Sequence, residues 1–399
     1  MGKALLRPNI FDYATRELSQ DAMICWFLAC LHSKDETYKK IGVDFIKFIF
    51  QDDSLTENEI ILEPDSPHKQ YHKMDVYAIV KVKNEIRPII FEDKTNTYLH
   101  SGQFKDYCKT VHSWLESKSY LENLREDFKD NNLTWGNILY VYFKTGYVPG
   151  WQEADFENQT QKIINDKEIK KLTVRKPIYI DDIITFVEKY THIPLLDDYL
   201  KHLKNIKEEM DTTLRYWNDK TNTFNYKYWV YTKEPACDML FQSVFGDNAW
   251  FNYNHQGWAS RDMFYIKQPE KTDENRLWYS LKLGCWKYQG KYRYAFALQQ
   301  YRNEKNVSGN TEELLKARIE NAECIRKICR EIFKELEFYN ITPVDTGKEK
   351  INNENYLFKF FITDDCTAEY LCEYLKGFKT LLIEKVTDIF GDKVGMDIY

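Results

Sequence analysis

The stretch from Met74 to Lys94, MDVYAIVKVKNEIRPIIFEDK, constrains the fold more than any other part of the chain. Two apolar, largely β-branched runs are broken once, at Lys83–Asn84–Glu85, which is the pattern of two strands joined by a tight turn. In the first run Val76, Ala78, Val80 and Val82 share one face, and Asp75, Tyr77, Ile79 and Lys81 share the other. In the second, Ile89 and Phe91 lie opposite Glu92 and Lys94. If the hairpin turns at 83–85, residues whose numbers add to an odd sum face the same way. That register sets the Val76/Ala78/Val80 stripe beside Ile89 and Phe91. It also puts Asp75 on the face of Glu92 and Lys94, and a one-residue slip would break both matches together. Asp93 then points to the apolar face and is expected to be a solvated strand-end residue rather than a ligand.

Two carboxylates placed together raise each other's pKa and need a cation between them. A hard divalent ion, Mg²⁺ or Mn²⁺, takes one or two protein carboxylates and completes its shell with water. Lys94 beside it would orient or deprotonate a water, or neutralise charge developing on a phosphate, which suits phosphodiester hydrolysis. The blander alternative is an exposed Asp–Lys or Glu–Lys pair at a strand end.

The flanking pattern gives the hairpin a setting. Leu18, Ala22, Cys25 and Ala29 recur at helical spacing in a first helix, Asp12 to about Leu31, and a second helix is expected over Glu36–Phe50. Strand-like runs follow at Glu59–Glu63, Met74–Val82 and Pro88–Lys94. A helix is expected from Gly102 to Lys118 and strands at Asn137–Lys144 and Pro177–Ile180. Asp181 or Asp182 should cap a helix running to Tyr190. This order predicts a mixed sheet covered by helices on both faces. Beyond a helix and polar connector at 194–230, aromatic strands are expected at Trp250–Tyr265, Leu277–Trp286 and Tyr292–Leu298. A helix over Thr311–Glu337, a strand over Tyr356–Ile362 and a helix over Cys366–Phe390 complete the reading. The 399 residues therefore divide into an N-terminal domain, 1–215, and a C-terminal α+β domain, 216–399. With 24 Phe, 29 Tyr and 10 Trp, the chain carries too much ring surface to remain disordered.

Asp75, sixteen residues, and then Glu92-Asp93-Lys94 resemble the D…(D/E)xK signature of the PD-(D/E)XK nuclease superfamily. Gln103-Phe-Lys-Asp-Tyr107 is similar to the QxxxY element of its RecB-like branches, and Glu17 falls on the first helix, where many members carry another acid. Met74 stands where the name-giving proline would be. The resemblance spans residues 10–190 and implies a restriction-endonuclease-like mixed β-sheet core flanked by helices. It also implies a Mg²⁺- or Mn²⁺-dependent nuclease, with DNA favoured over RNA, in a setting of microbial defence or mobile elements. Asp75 and Glu92 would ligate the metal, with Glu17 as a direct or more distant helper, and Lys94 would act on the water or the transition state. Gln103 and Tyr107 would hold Lys94 or a phosphate, or would be simply a partly buried polar pair. The same resemblance is compatible with a homodimer, and with an inactive nucleic-acid-binding scaffold as the alternative.

Four further features are weighed beside this site. Lys287, Lys291 and Arg293 are interleaved with Tyr288 and Tyr292, so these five could form a platform for nucleic acid, or could line the second domain's core. Lys162, Lys167, Lys170, Lys171 and Arg175 make a basic stretch before a core strand, and Glu63 is a weaker acidic candidate. His68 and His72 are read as loop residues entering Asp75. The net charge of −6 excludes a protein that coats nucleic acid through global charge, not one with a local basic surface.

Nine cysteines without CxxC spacing and no signal-like N-terminus predict a reduced, cytoplasmic protein. Leu6 stands where a myristoylation signal needs Ser or Thr, and no apolar run is long enough to span a membrane, so no membrane partner is expected.

Overall fold

A computed structural model describes residues 9–12, 16–95, 99, 102–117, 124–129, 133–166, 169, 172–219, 234–246, 249–254, 258–267, 276–302, 312–336, 339–346, 354–363 and 365–396. The chain divides into two units, Met1–Glu209 and Met210–Tyr399. Both are mixed α and β, and the first is built on a mixed sheet flanked by helices. Among the described residues no helix is long and apolar enough to cross a membrane, and the nine cysteines are free thiols.

The sheet of the first unit is formed by β1 (Ile60–Leu62), β2 (His68–Tyr71), β3 (Met74–Val82), β4 (Glu85–Lys94), β5 (Leu139–Lys144), β6 (Thr173–Val174) and β7 (Ile178–Tyr179). Its order is β1-β3-β4-β5-β6, with β2 also on β3 and β7 also on β5. The β3–β4 pair is antiparallel, with Val76 opposite Phe91, Ala78 opposite Ile89 and Val82 opposite Glu85, the odd-sum register that the apolar pattern demands. Lys83 and Asn84 alone make the turn, at φ 48° and 65°, so the link is two residues with both in the left-handed region. That conformation matches the twist of the flanking strands, and Asn tolerates it better than most residues. β4 runs parallel to β5, so the sheet is mixed, and a parallel neighbour requires both faces to be covered.

One face is covered by α1 (Arg16–Ala29), α2 (Glu36–Phe50) and α5 (Ile180–Val187). Phe45 stacks on Phe27 at 4.9 Å and reaches Phe91 and Phe143 of the sheet at 6.3 Å, while Phe186 closes the cluster from α5. The opposite face carries α3 (Gln103–Leu115) and α4 (Gly150–Ile164). Phe104 stacks on Tyr140 at 3.8 Å and Phe156 on Tyr142 at 5.3 Å. Fully burying a side chain of this size is worth about 2–3 kcal/mol, so the two layers hold the sheet rigid between them. α6 (Pro194–Asn218) follows.

The helix expected to be capped by Asp181 or Asp182 starts at Ile180 with Tyr179 at the cap position, and Asp182 lies inside the first turn and accepts from the Tyr179 backbone N–H at 3.0 Å. Sequence analysis missed α4, β2 and the two-residue β6. α4 buries few apolar side chains, among them Trp151, Phe156 and Ile163, so its period is faint against a polar background. His68, expected in a loop, lies on β2 and stacks on Tyr71 at 5.0 Å.

The second unit contains β8 (Asn252–Asn254), β9 (Trp258–Lys267), β10 (Arg276–Tyr288), β11 (Lys291–Arg302), β12 (Ile341–Asp345), β13 (Glu354–Ile362) and β14 (Val394–Gly395). These form an antiparallel sheet in the order β12-β13-β11-β10-β9-β14, with β8 also on β9. Its helices are α7 (Glu234–Phe245), α8 (Glu312–Glu335) and α9 (Ala368–Phe390). Phe333 of α8 and Phe378 of α9 close on Phe358 and Phe360 of β13 at 5.4 and 4.9 Å. α7 also escaped the sequence reading, although Glu234, Asp238 and Gln242 recur along it at helical spacing.

Candidate active site

β3 and β4 deliver three charged side chains to one end of their hairpin. The register that pairs Val76 with Phe91 carries Asp75 to the level of Glu92, and the Asp75 carboxylate accepts the Asp93 backbone N–H at 2.8 Å. Lys94 Nζ forms an ion pair with Glu92 Oε1 and lies 3.6 Å from Asp75 Oδ2. All three residues predicted from the hairpin pattern therefore meet.

Glu92 is completely buried, and burial is the largest reason its carboxyl is pushed up to about 8. Lys94 opposes that shift, while Asp75 adds to it by like-charge repulsion. Glu92 Oε1 takes Lys94 and, at 2.6 Å, the Gln103 amide, while Oε2 is buried without a hydrogen-bond partner among the described residues. A buried carboxylate oxygen left without a donor is costly unless something outside the chain supplies positive charge.

Gln103 and Tyr107 occupy the first turns of α3 on one face. The Gln103 amide donates to Glu92 and, at 2.8 Å, to the Tyr107 oxygen, and the Tyr107 hydroxyl donates to the Lys73 carbonyl at 2.6 Å. Gln103 thus fixes the Glu92 carboxylate, and Tyr107 ties α3 to the residue that enters β3. Burial and the neighbouring Glu92 push the Tyr107 phenol up, which keeps it a donor.

Glu17 lies in α1, but its side chain falls outside the described residues, as do Lys167, Lys170 and Lys171. The acid that α1 brings to the site is Asp21. It is buried and raised to about 6, first by burial and then by Asp75. Gln70 donates to Asp21 Oδ2 at 3.0 Å and to Asp75 Oδ1 at 3.3 Å, so one amide bridges the two carboxylates. Asp21 sits one helical step from Leu18 and Cys25, inside the apolar stripe of α1. An acid on that stripe was the available signal.

Lys144 was also missed. It is buried, stands beside Lys94 on the parallel strand β5 and donates to the Thr95 carbonyl at 3.2 Å. Next to it, a Cβ on Gly146 would fall 1.7 Å from the Thr95 carbonyl oxygen, so only glycine lets the two backbones approach. The Thr145 N–H donates to the Lys94 carbonyl at 3.2 Å. The end of β4 is therefore clamped where Lys94 leaves it.

Asp93 is corrected: it is buried at 2% exposure rather than solvated, because both faces of the sheet are covered. Glu63 is buried too, but its carboxylate accepts the Asp65 N–H at 2.9 Å in a local turn. The five platform residues of the second unit split between two faces. Lys287 lies opposite Tyr292 on one face; Tyr288 lies opposite Lys291, with Arg293 opposite Trp286, on the other. Arg175 and Lys176 line a cleft of about 680 Å³ with Glu153 and Glu157, so the described part of that basic stretch is not an uninterrupted cationic track.

The residues fit a hard divalent cation: the donors are carboxylate oxygens, one of them buried and unpaired, and Asp75 and Glu92 repel each other. Among the described residues no set of three or more His, Cys, Asp or Glu side chains is grouped to hold a metal. Two carboxylates with water completing the shell are nevertheless what Mg²⁺ accepts. Comparison with protein-family models, with curated proteins and with solved structures finds no match.

Proposed function

We propose that the chain is a Mg²⁺- or Mn²⁺-dependent nuclease with a restriction-endonuclease-like core, hydrolysing phosphodiester bonds of nucleic acid, DNA in preference to RNA. The observation that supports it most is the buried Glu92 carboxylate, with one oxygen unpartnered among the described residues, facing Asp75 and Lys94 at the end of the hairpin. Asp75 and Glu92 would hold the ion, which when bound supplies positive charge to acidify a water and to offset charge on the phosphoryl oxygens. Lys94, displaced from its pairing with the carboxylates, would orient the attacking water or stabilise the transition state. Gln103 keeps Glu92 in its rotamer, and Asp21 with Gln70 sets the position of Asp75. The clamp at Thr95, Thr145 and Gly146 holds the Lys94 backbone in place while its side chain moves.

An inactive nucleic-acid-binding scaffold on the same fold is the second reading. It is favoured by one observation: Lys94 already pairs with both carboxylates. Incubating linear duplex, circular duplex, single-stranded DNA and RNA with Mg²⁺ or Mn²⁺ separates the two. Wild type should cut at least one substrate, and Asp75→Ala and Lys94→Ala should both abolish cutting. Cleavage that survives both substitutions, or no cleavage together with no metal uptake by calorimetry, would refute the nuclease reading.

A further inference from the structure

The sheet of the second unit has one packed face and one accessible face. Along β9 and β10, residues alternate between buried and half-exposed positions, as they do when an antiparallel sheet is packed on one side only. The packed face presents Leu281, Leu283, Phe296 and Leu298, and in the same register Phe358 and Phe360, to the helices.

The accessible face is aromatic and cationic. The Lys282 ammonium lies 4.2 Å from the Trp258 ring centroid and 5.4 Å from that of Tyr356. The Lys359 ammonium lies 5.3 Å from Tyr356 and 5.6 Å from Trp286. Rings and ammonium groups therefore form one cluster of Trp258, Lys282, Tyr356, Lys359 and Trp286, in which Trp286 meets Tyr356 edge-on at 5.9 Å and Lys282 also donates to the Tyr356 hydroxyl at 2.9 Å. Arg293 flanks Trp286 and Lys291 flanks Tyr288 on the same face. The floor is small: Lys282 and Lys359 each face Ala297, and Gly284 faces Ala295. A Cβ on Gly284 would fall 2.9 Å from the Trp286 ring, so glycine lets that indole lie flat against the sheet. Among the described side chains on this face the strands place one acid, Asp262, and it accepts from the Tyr301 hydroxyl at 2.7 Å.

Cation–π contacts stabilise such a surface locally. They do not account for cations gathered with one acid among the described side chains on a half-exposed face of a chain whose net charge is −6. Half-exposed rings clustered with ammonium and guanidinium groups are complementary to a polymer that carries exposed bases beside phosphates.

We propose that this face binds single-stranded nucleic acid, with bases stacking on Trp258, Tyr356 and Trp286 and phosphates meeting Lys282, Lys359 and Arg293. A duplex hides its base faces and would use only the cations. The binding goes beyond the cleavage assigned to the first unit and requires neither its metal nor its carboxylates.

The test uses the full chain in EDTA, so that no cleavage is read. Anisotropy of labelled single-stranded DNA and RNA oligonucleotides, and of the matching duplexes, is measured over a range of salt with unlabelled heparin as competitor. Wild type should prefer single strands. Trp286→Leu, which keeps Gly284 covered but removes the ring, should weaken single-strand affinity roughly 5- to 100-fold. Lys359→Gln should lower the slope of log affinity against log salt by about 0.7. If Trp286→Leu loses its fold by circular dichroism, Lys359→Gln decides alone. Absence of single-strand binding by wild type, equal affinity for duplex, full displacement by equimolar heparin, or unchanged affinity and slope in folded variants would overturn the proposal. Each of these outcomes leaves metal-dependent cutting at Asp75 and Glu92 to be judged separately.

Discussion

Replacing Glu92 with Gln should make the metal-free protein more stable, and increasingly so as pH rises. In the fold the Glu92 carboxyl is held at about 8 instead of 4.5, by burial first and by Asp75 after it. A carboxyl raised in the folded state contributes stability that is fully present below its unfolded value. That contribution is lost as pH climbs through the folded one. The window therefore runs from about pH 4.5 to about pH 8. One pKa unit corresponds to about 1.4 kcal/mol, so the ionised side chain at pH 8 disfavours the fold by about 4 kcal/mol at the upper end. Relaxation around the buried charge brings the figure to about 2–4 kcal/mol. Glutamine keeps the shape and can still meet the Gln103 amide, but it carries no charge to bury. For a unit of this size 1 kcal/mol moves the midpoint by about 2–4 °C. Thermal denaturation in EDTA should thus place Glu92→Gln within about 3 °C of wild type at pH 5. At pH 8 the variant should lie about 5–15 °C above it. Saturating Mn²⁺ should raise wild type by the binding free energy and leave the variant behind. A pH-independent difference, or a variant less stable than wild type at pH 8, would refute the claim that the buried carboxylate's charge is only partly compensated. Equal Mn²⁺ stabilisation of both proteins would remove Glu92 from the ligand set.

Three further outcomes are expected. Lys94→Ala leaves Asp75 and Glu92 facing each other without a cation, so its unfolding free energy in urea should fall below that of wild type by about 3 kcal/mol at pH 8 and much less at pH 5; equal losses at both pH values would contradict this. Gly146→Ala should lower urea stability by about 1–3 kcal/mol, because the new methyl meets the Thr95 backbone rather than a movable side chain; an unchanged midpoint would show that the β4 end is not clamped there. Asp21→Asn should raise the metal-free midpoint above pH 6 but not below pH 4, since the Asp21 carboxyl is raised from 3.8 to about 6. A gain that persists at low pH would assign the effect to packing instead of charge.

The hairpin was legible because a strand's side chains alternate with a period of two. Once Val76, Ala78 and Val80 had to be buried beside Ile89 and Phe91, the positions of Asp75, Glu92 and Lys94 followed, and the fold confirmed that register residue by residue. The Gln103–Tyr107 pair was legible in the same way from helical spacing, although its partner, Glu92 rather than Lys94 or a phosphate, was not. What depends on distant parts of the chain escaped. Asp21 and Gln70 are 49 residues apart and meet only because α1 packs against the β2–β3 edge. Lys144 reads as the last residue of a strand until the parallel pairing sets it beside Lys94. Asp93 looked solvated because local alternation says which face a residue takes and nothing about what covers that face. In the second unit the sequence showed rings and cations interleaved, while the antiparallel register decided which of them share a surface. Local periodicity thus determined the elements and the charged end of one hairpin. Burial, and with it the pKa of Glu92, the bridge from Asp21 and the aromatic–cationic sheet face, arises from long-range packing that no window of neighbouring residues contains.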